Sequence, residues 1–368
     1  MPLPSAIPPL RRECVQVRNG LVQLGLAAVL GAAPPACALA LADGPPAIAG
    51  TFWQGEPGES GQVSLTLFPR PGTEMVEGTL RYDSRLAATP RQLDGQLTAD
   101  GRLSLSLRER DAPPTAASDA QASGNVRFEG AVAADGRTAT GVWTGADGSA
   151  RQLMLTRTAV YRERVAEVGG ARFAERYPET GSAAVDALIA SLRAGGCGEG
   201  GLECRSAVEL ATLDAGVVSL LRTTWRYSGG AHGSLDYAGG TWRRDDAAAA
   251  SAAGAEAAYV PVRLADLLAP GKACLQKLNA ELEASLRQQG AADPERGLLD
   301  EAALHDARTP FTLYRGGVVL HYAPYAVGPF AKGAYRAAVP FARLGACARP
   351  SGESRGRIPE PEQKEART

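Results

Sequence analysis

The sequence predicts an all-β N-terminal domain followed by an α+β domain built on an antiparallel sheet. Three observations carry this reading. From Ala49 to about Arg157, apolar and polar residues alternate with no sustained helical period. The triplet Ala-Asp-Gly recurs at 99–101, 134–136 and 146–148, and Asp-Gly supplies the positive φ that tight hairpins require. Beyond residue 170 the pattern changes, and segments with apolar residues at helical spacing alternate with strand-like runs.

The first domain is assigned to residues 48–157. Strands are expected near residues 49, 63, 75, 92, 103, 126, 138 and 151. Consecutive hairpins at that spacing make a small meander barrel or sandwich, lipocalin-like in form. Val63-Ser64-Leu65-Thr66-Leu67 and Leu103-Ser104-Leu105-Ser106-Leu107 show the alternation of a half-buried strand most clearly. Gly78, Gly95, Gly130 and Gly141 suit close backbone approach at barrel corners. Trp53 and Trp143 are expected to fill the interior, since small barrels pack their centres with side chains. Asp111 to Ser123, rich in Pro, Ala, Ser and Asp, reads as a mobile loop between strands.

The boundary is placed between Arg157 and Gly170, and the second domain covers residues 160–349. Val185, Leu188, Ile189 and Leu192 mark an amphipathic helix that Gly195-Gly196 ends. Val217 to Tyr227 and Leu235 to Trp242 are strands around an elaborated turn, Ser228-Gly229-Gly230-Ala231-His232-Gly233. A second helix spans about Lys272 to Gln289, with Leu275, Leu278, Leu282 and Leu286 along one face. Phe311 to Tyr314 and Val318 to Tyr322 flank the tight turn Arg315-Gly316-Gly317, and a last strand runs from Tyr335 to Phe341. Arg243-Arg244-Asp245-Asp246 and the Ala-rich run after it read as a solvated excursion. Residues 350–368 carry almost no apolar side chains and are expected to form a disordered tail.

Residues 1–42 have the order of a cleaved signal peptide. Arg11, Arg12 and Arg18 precede an apolar run from Leu21 to Leu30, and Ala40-Leu41-Ala42 offers small residues for cleavage after Ala42. The run, broken by Gly25, Gly31 and Pro34-Pro35, is shorter than the roughly 20 residues of a spanning helix. Pro34-Pro35 before Cys37 fits a lipidation site badly. The expectation is a periplasmic or secreted protein that meets the membrane only through its leader. A net charge of -1 argues against nucleic acid as a partner. Cys197, Cys204, Cys274 and Cys347 then remain, an even number in an oxidising compartment. Of three possible connectivities, Cys197 to Cys204 and Cys274 to Cys347 are preferred over the others and over a zinc site, for which no CxxC pair exists. No cofactor is expected.

Candidate ligand-binding residues are Gly229, Gly230 and His232 in the glycine-rich turn, and Tyr325, Phe330 and Lys332 in the loop from Pro324 to Gly333. His232 with His321 would suit acid–base work if a carboxylate such as Asp236 or Asp266 oriented the ring; metal binding would need a third ligand. The structural alternative is a histidine that locks the turn through backbone carbonyls. His305 precedes Asp306 in a polar stretch and reads as exposed. Ser228 and Ser234 lack the Gly-x-Ser-x-Gly setting of an exposed nucleophile, which disfavours a serine hydrolase.

Three stretches together resemble the extracytoplasmic domain shared by RsiV-type anti-sigma factors and PdaC-type peptidoglycan deacetylases. They are Tyr227 to Gly233, Val262 to Leu268, and Phe311 to Leu344 with its Tyr322-Ala323-Pro324-Tyr325-Ala326-Val327-Gly328-Pro329-Phe330-Ala331-Lys332-Gly333 segment. The resemblance covers about residues 160–345. It implies an envelope protein that recognises a lysozyme-like protein or peptidoglycan. Only about twenty residues precede the apolar run, which leaves little room for a cytoplasmic sigma-binding segment. The expected function is a non-enzymatic, exported binding or sensing protein. The alternative is a periplasmic hydrolase using His232 and His321, metal-dependent or not.

Overall fold

A computed structural model describes residues 47–349, apart from 56–61, 83–90, 108–125, 146–147, 198–200, 215 and 246–257. The expected leader at 1–42, the expected tail at 350–368, the expected loop at 111–123 and the Ala-rich run after Asp245 lie outside the described residues. Among the described residues no helix is long and apolar enough to cross a membrane.

Eight strands follow one another as antiparallel neighbours: β1 (Ala47–Gly55), β2 (Val63–Pro69), β3 (Met75–Tyr82), β4 (Arg91–Leu97), β5 (Arg102–Leu107), β6 (Arg127–Val132), β7 (Thr138–Thr144) and β8 (Ala150–Val168). β1 also pairs with β8, which closes the meander into a barrel. All three Asp-Gly turns sit between consecutive strands, with φ of 87°, 64° and 76° at Gly101, Gly136 and Gly148. Inside, Leu65, Leu80, Leu105, Phe128 and Leu155 pack with Trp53 and Trp143, so the interior is a filled core.

The boundary read at Arg157 to Gly170 falls on the second half of β8 and on the turn that follows it; β8 is a single strand of 19 residues. Its first half pairs with β7, and its second half leaves the barrel to pair with β9 (Ala171–Glu179). Polar residues crowd that second half, as in Arg162-Glu163-Arg164, so the apolar contrast that marks a strand in sequence fades there. A crossover through helix α1 (Ala183–Arg193) then sets β10 (Glu203–Leu213) parallel to β9. The sheet is therefore antiparallel with one parallel pair, because a helix must intervene before the chain can return in the same direction.

β10, β11 (Val217–Tyr227), β12 (Ser234–Arg244) and β13 (Tyr259–Pro261) continue antiparallel. One face of this sheet packs with α1 and the outer wall of the barrel, where Phe52, Tyr161, Val185, Ile189, Leu210 and Leu220 form a second core. The guanidinium of buried Arg222 donates to the Leu192 carbonyl at 2.7 Å, and Arg226 donates to Gly196 O at 2.8 Å. Both cations meet the electronegative end of α1.

The other face meets a three-stranded sheet, β14 (Phe311–Tyr314), β15 (Gly317–Tyr322) and β16 (Tyr335–Pro340). Helix α2 (Lys272–Gln288) covers the far side of that sheet with Leu278, Leu282 and Leu286, each fully buried. Short helices α3 (Glu301–His305) and α4 (Phe341–Leu344) complete this unit. Cys274 of α2 is bonded to Cys347, and Cys197 to Cys204, the pairing preferred from spacing.

Candidate functional site

The site begins on β11, whose odd-numbered residues share one face because side chains alternate along a strand. Trp225 and Tyr227 lie on that face and stack, with ring centroids 6.2 Å apart and 13° between planes. The Arg205 guanidinium sits 5.4 Å from the Trp225 ring. The turn to β12 follows, with Gly229 and Gly230 at φ of 102° and 98°. There the Tyr227 hydroxyl donates to Gly230 O at 3.0 Å. At Gly233 an added Cβ would lie 2.5 Å from the Trp225 indole, so only glycine lets the turn close over that ring.

His232 leads from this turn to the second loop. Its Nδ1 lies 3.0 Å from Gly233 O. A carbonyl only accepts, so Nδ1 carries a proton, and Nε2 lies 3.2 Å from the Tyr325 hydroxyl. Phe330 stacks on the imidazole at 3.9 Å and 18°. Among the described residues Tyr325 is the one non-glycine with positive φ, at 73°, and 54% of it is exposed. Two loops 93 residues apart thus share one aromatic patch. Lys332 is exposed in the same loop. Of the expected binding residues, His232, Tyr325 and Phe330 touch one another; Gly229 and Gly230 shape the turn.

His321 belongs to a different environment. It is buried, its Nε2 lies 2.9 Å from Thr312 Oγ1, and its ring lies 5.6 Å from that of Tyr237. Burial, helped by the charges of Arg336 and Arg81, lowers its pKa to about 3. The two histidines have separate partners, one exposed and one enclosed. Asp236 is exposed on β12, opposite Thr224. Asp266 accepts from Arg263 N at 2.8 Å and caps a short 3-10 turn. His305 is exposed at the end of α3. No group of three or more metal-ligating side chains is gathered among the described residues.

Trp225 and Tyr227 were legible as alternate aromatics on a strand, yet the sequence reading passed over them. A polar junction beside them was not legible. Arg81 of β3 donates to Glu209 of β10 at 3.1 Å, across 128 residues of chain. The Tyr161 hydroxyl accepts from Leu210 N at 3.2 Å, and burial followed by the Glu209 charge pushes its pKa up to about 12.

Residues 265–342 match the model of the DUF3298 family, described as a protein of unknown function. The matched segment holds α2, the small sheet and the Tyr325–Lys332 loop, and it excludes the His232 turn. Among solved structures, a DUF3298 family protein from Pseudomonas aeruginosa is similar at 16% identity and a TM-score of 0.35, covering 52% of this chain and 93% of that one. A member of the same family from Bacteroides fragilis is similar at 13% identity and a TM-score of 0.30, covering 52% and 92%. No curated protein matches the chain.

Proposed function

We propose that the chain is an exported, non-enzymatic binding protein of the cell envelope that grips its ligand with the aromatic patch around Tyr325. One observation carries this reading: the glycine-rich turn and the 323–333 loop converge, and the convergence leaves a tyrosine exposed in a backbone conformation unfavourable to it. Strain kept at an exposed aromatic points to a functional demand rather than to packing. The signal-like order of residues 1–42 and the two disulfides support export. The likeness to the extracytoplasmic domain of RsiV-type and PdaC-type proteins, read from three stretches that include both loops, extends the proposal to a lysozyme-like protein or peptidoglycan as ligand.

Pull-down of the chain lacking residues 1–42 against lysozymes and against insoluble peptidoglycan tests the reading. Retention by one of them should fall at least tenfold in Tyr325→Ala and Phe330→Ala, with His321→Gln unaffected. No retention by either ligand removes the family-derived part. Retention indifferent to both aromatic substitutions places the binding surface elsewhere.

A further inference from the structure

The β11 face that carries Trp225 and Tyr227 continues toward the small sheet. At its far end β14 is fastened down: Leu313 N donates to Ser219 Oγ at 2.9 Å, and Thr212 Oγ1 donates to Leu313 O at 2.6 Å. Between that end and Trp225 lie the cross-strand rows Glu209–Leu221–Gly239 and Ala207–Thr223–Tyr237, all on one face. At Gly239 an added Cβ would meet Phe311 O at 2.6 Å, so the start of β14 lies directly on the sheet there. Two arginines from other elements approach this half-buried stretch. Arg81 comes from the barrel wall to Glu209, and Arg336 of β16 stands directly across from His321, whose ring adjoins Tyr237.

The charges do not balance. Arg81 is paired with Glu209, whereas the Arg336 guanidinium makes no hydrogen bond or ion pair among the described residues. Arg336 is half-buried. Burial lowers its pKa; the neighbouring Tyr314 raises it, Arg81 lowers it further, and Glu209 and Tyr237 raise it. His321 is neutral across the physiological range and adds no charge. Two guanidinium groups therefore face a single carboxylate. The Arg336 nitrogens are not among the enclosed side-chain atoms that lack a partner, so its guanidinium reaches solvent and is open to a ligand. An oxyanion would pair with it, because the planar fork of arginine matches carboxylate and phosphate oxygens in pairs.

We infer that this junction, formed by Arg336, Arg81 and Tyr237 beside Glu209, is a binding site for a carboxylate or phosphate group. The site needs none of His232, Tyr325 or Phe330, so it stands or falls apart from the aromatic patch. The distribution of sources gives a direct assay. Isothermal titration of the chain lacking residues 1–42 with succinate, and separately with inorganic phosphate, at ionic strength held constant with chloride, should give saturable binding of at least one anion. Succinate alone assigns a carboxylate and phosphate alone a phosphate ester. Arg336→Gln should weaken that binding at least tenfold, and Glu209→Gln, which removes the competing carboxylate, should tighten it several-fold. Tyr325→Ala should leave it unchanged. Absence of saturable binding by both anions overturns the site, as does binding that Arg336→Gln and Glu209→Gln leave alike.

Discussion

The barrel and the sheet region that follows it bury different things. Among the described residues, the buried polar side chains include Ser64 of the barrel strands, while Thr212, Ser219, Arg222, Thr312 and His321 all lie beyond it. A barrel built of consecutive hairpins needs only apolar filling, since each strand already satisfies its neighbours' backbone. Beyond β8, the chain joins elements distant in sequence, and it does so with hydroxyls and guanidiniums aimed at particular backbone atoms. Such contacts fix orientation as well as stability. Under the proposed function, specificity belongs to the second region and support to the first.

If the barrel is support, its largest penalty should come from its centre. Phe128 is fully buried, and its ring lies across the facing pair Gly130 and Gly141, where an added Cβ would stand 2.7 and 2.8 Å from the ring. Phe128→Ala is expected to cost about 3–5 kcal/mol, the range of large aromatic truncations in cores. Denaturant unfolding followed by fluorescence of Trp53 and Trp143, with Trp225 and Trp242 replaced by Phe, reads it. A loss below about 1 kcal/mol would mean that the interior is not packed as a core.

The second region should depend instead on its crosslinks. The Cys274–Cys347 bridge spans 73 residues and Cys197–Cys204 spans 7. Replacing both partners of the longer bridge by Ala is expected to cost about 2–4 kcal/mol. By loop-closure entropy it should matter more than the shorter bridge by about 2 kcal/mol. Equal losses for the two bridges would show that the small sheet and α2 hold together without covalent help.

Legibility in the sequence follows the same divide. All eight barrel strands and their Asp-Gly turns could be read, because alternation and turn chemistry are local signals. In the second region α1, α2 and the β11–β12 and β14–β15 hairpins were equally plain. β9 and β10 were not, since their parallel pairing depends on a crossover and has no local mark. The site divides likewise. His232, Tyr325 and Phe330 stood out through glycine-rich context, whereas Arg81, Glu209 and Arg336 are ordinary charged residues until the fold assembles them.

Buried polarity in the second region also predicts a pH response that the barrel lacks. His321 has its pKa lowered from 6.5 to about 3 by burial, with Arg336 and Arg81 adding to the effect. The unfolded chain therefore takes up the proton first as pH falls. Its contribution to stability is complete above about 6.5 and is lost toward about 3. The slope is about 1.4 kcal/mol per pH unit between these limits. Measured from pH about 6.5 to about 4.5, above most carboxylate titrations, the stability of His321→Gln should fall less steeply than that of the parent. Parallel profiles would mean that protonated His321 is accommodated, and the enclosed character assigned to this face would fail.

The smallest stability effect is expected where the functional effect is largest. Tyr325 sits at φ 73°, a conformation that costs a side chain about 1 kcal/mol and costs glycine little. Its ring is more than half exposed, so truncation forfeits little burial. Tyr325→Gly should leave stability within about 1 kcal/mol of the parent, with backbone relief offsetting the freedom glycine adds to the unfolded chain. It also removes the hydroxyl that is hydrogen-bonded to His232 Nε2, which frees the imidazole between Phe330 and solvent. If the patch is a grip, ligand retention should collapse in a protein of unchanged melting behaviour. A large loss of stability in Tyr325→Gly would instead make Tyr325 an anchor of the loop, and the strained backbone would then serve the fold.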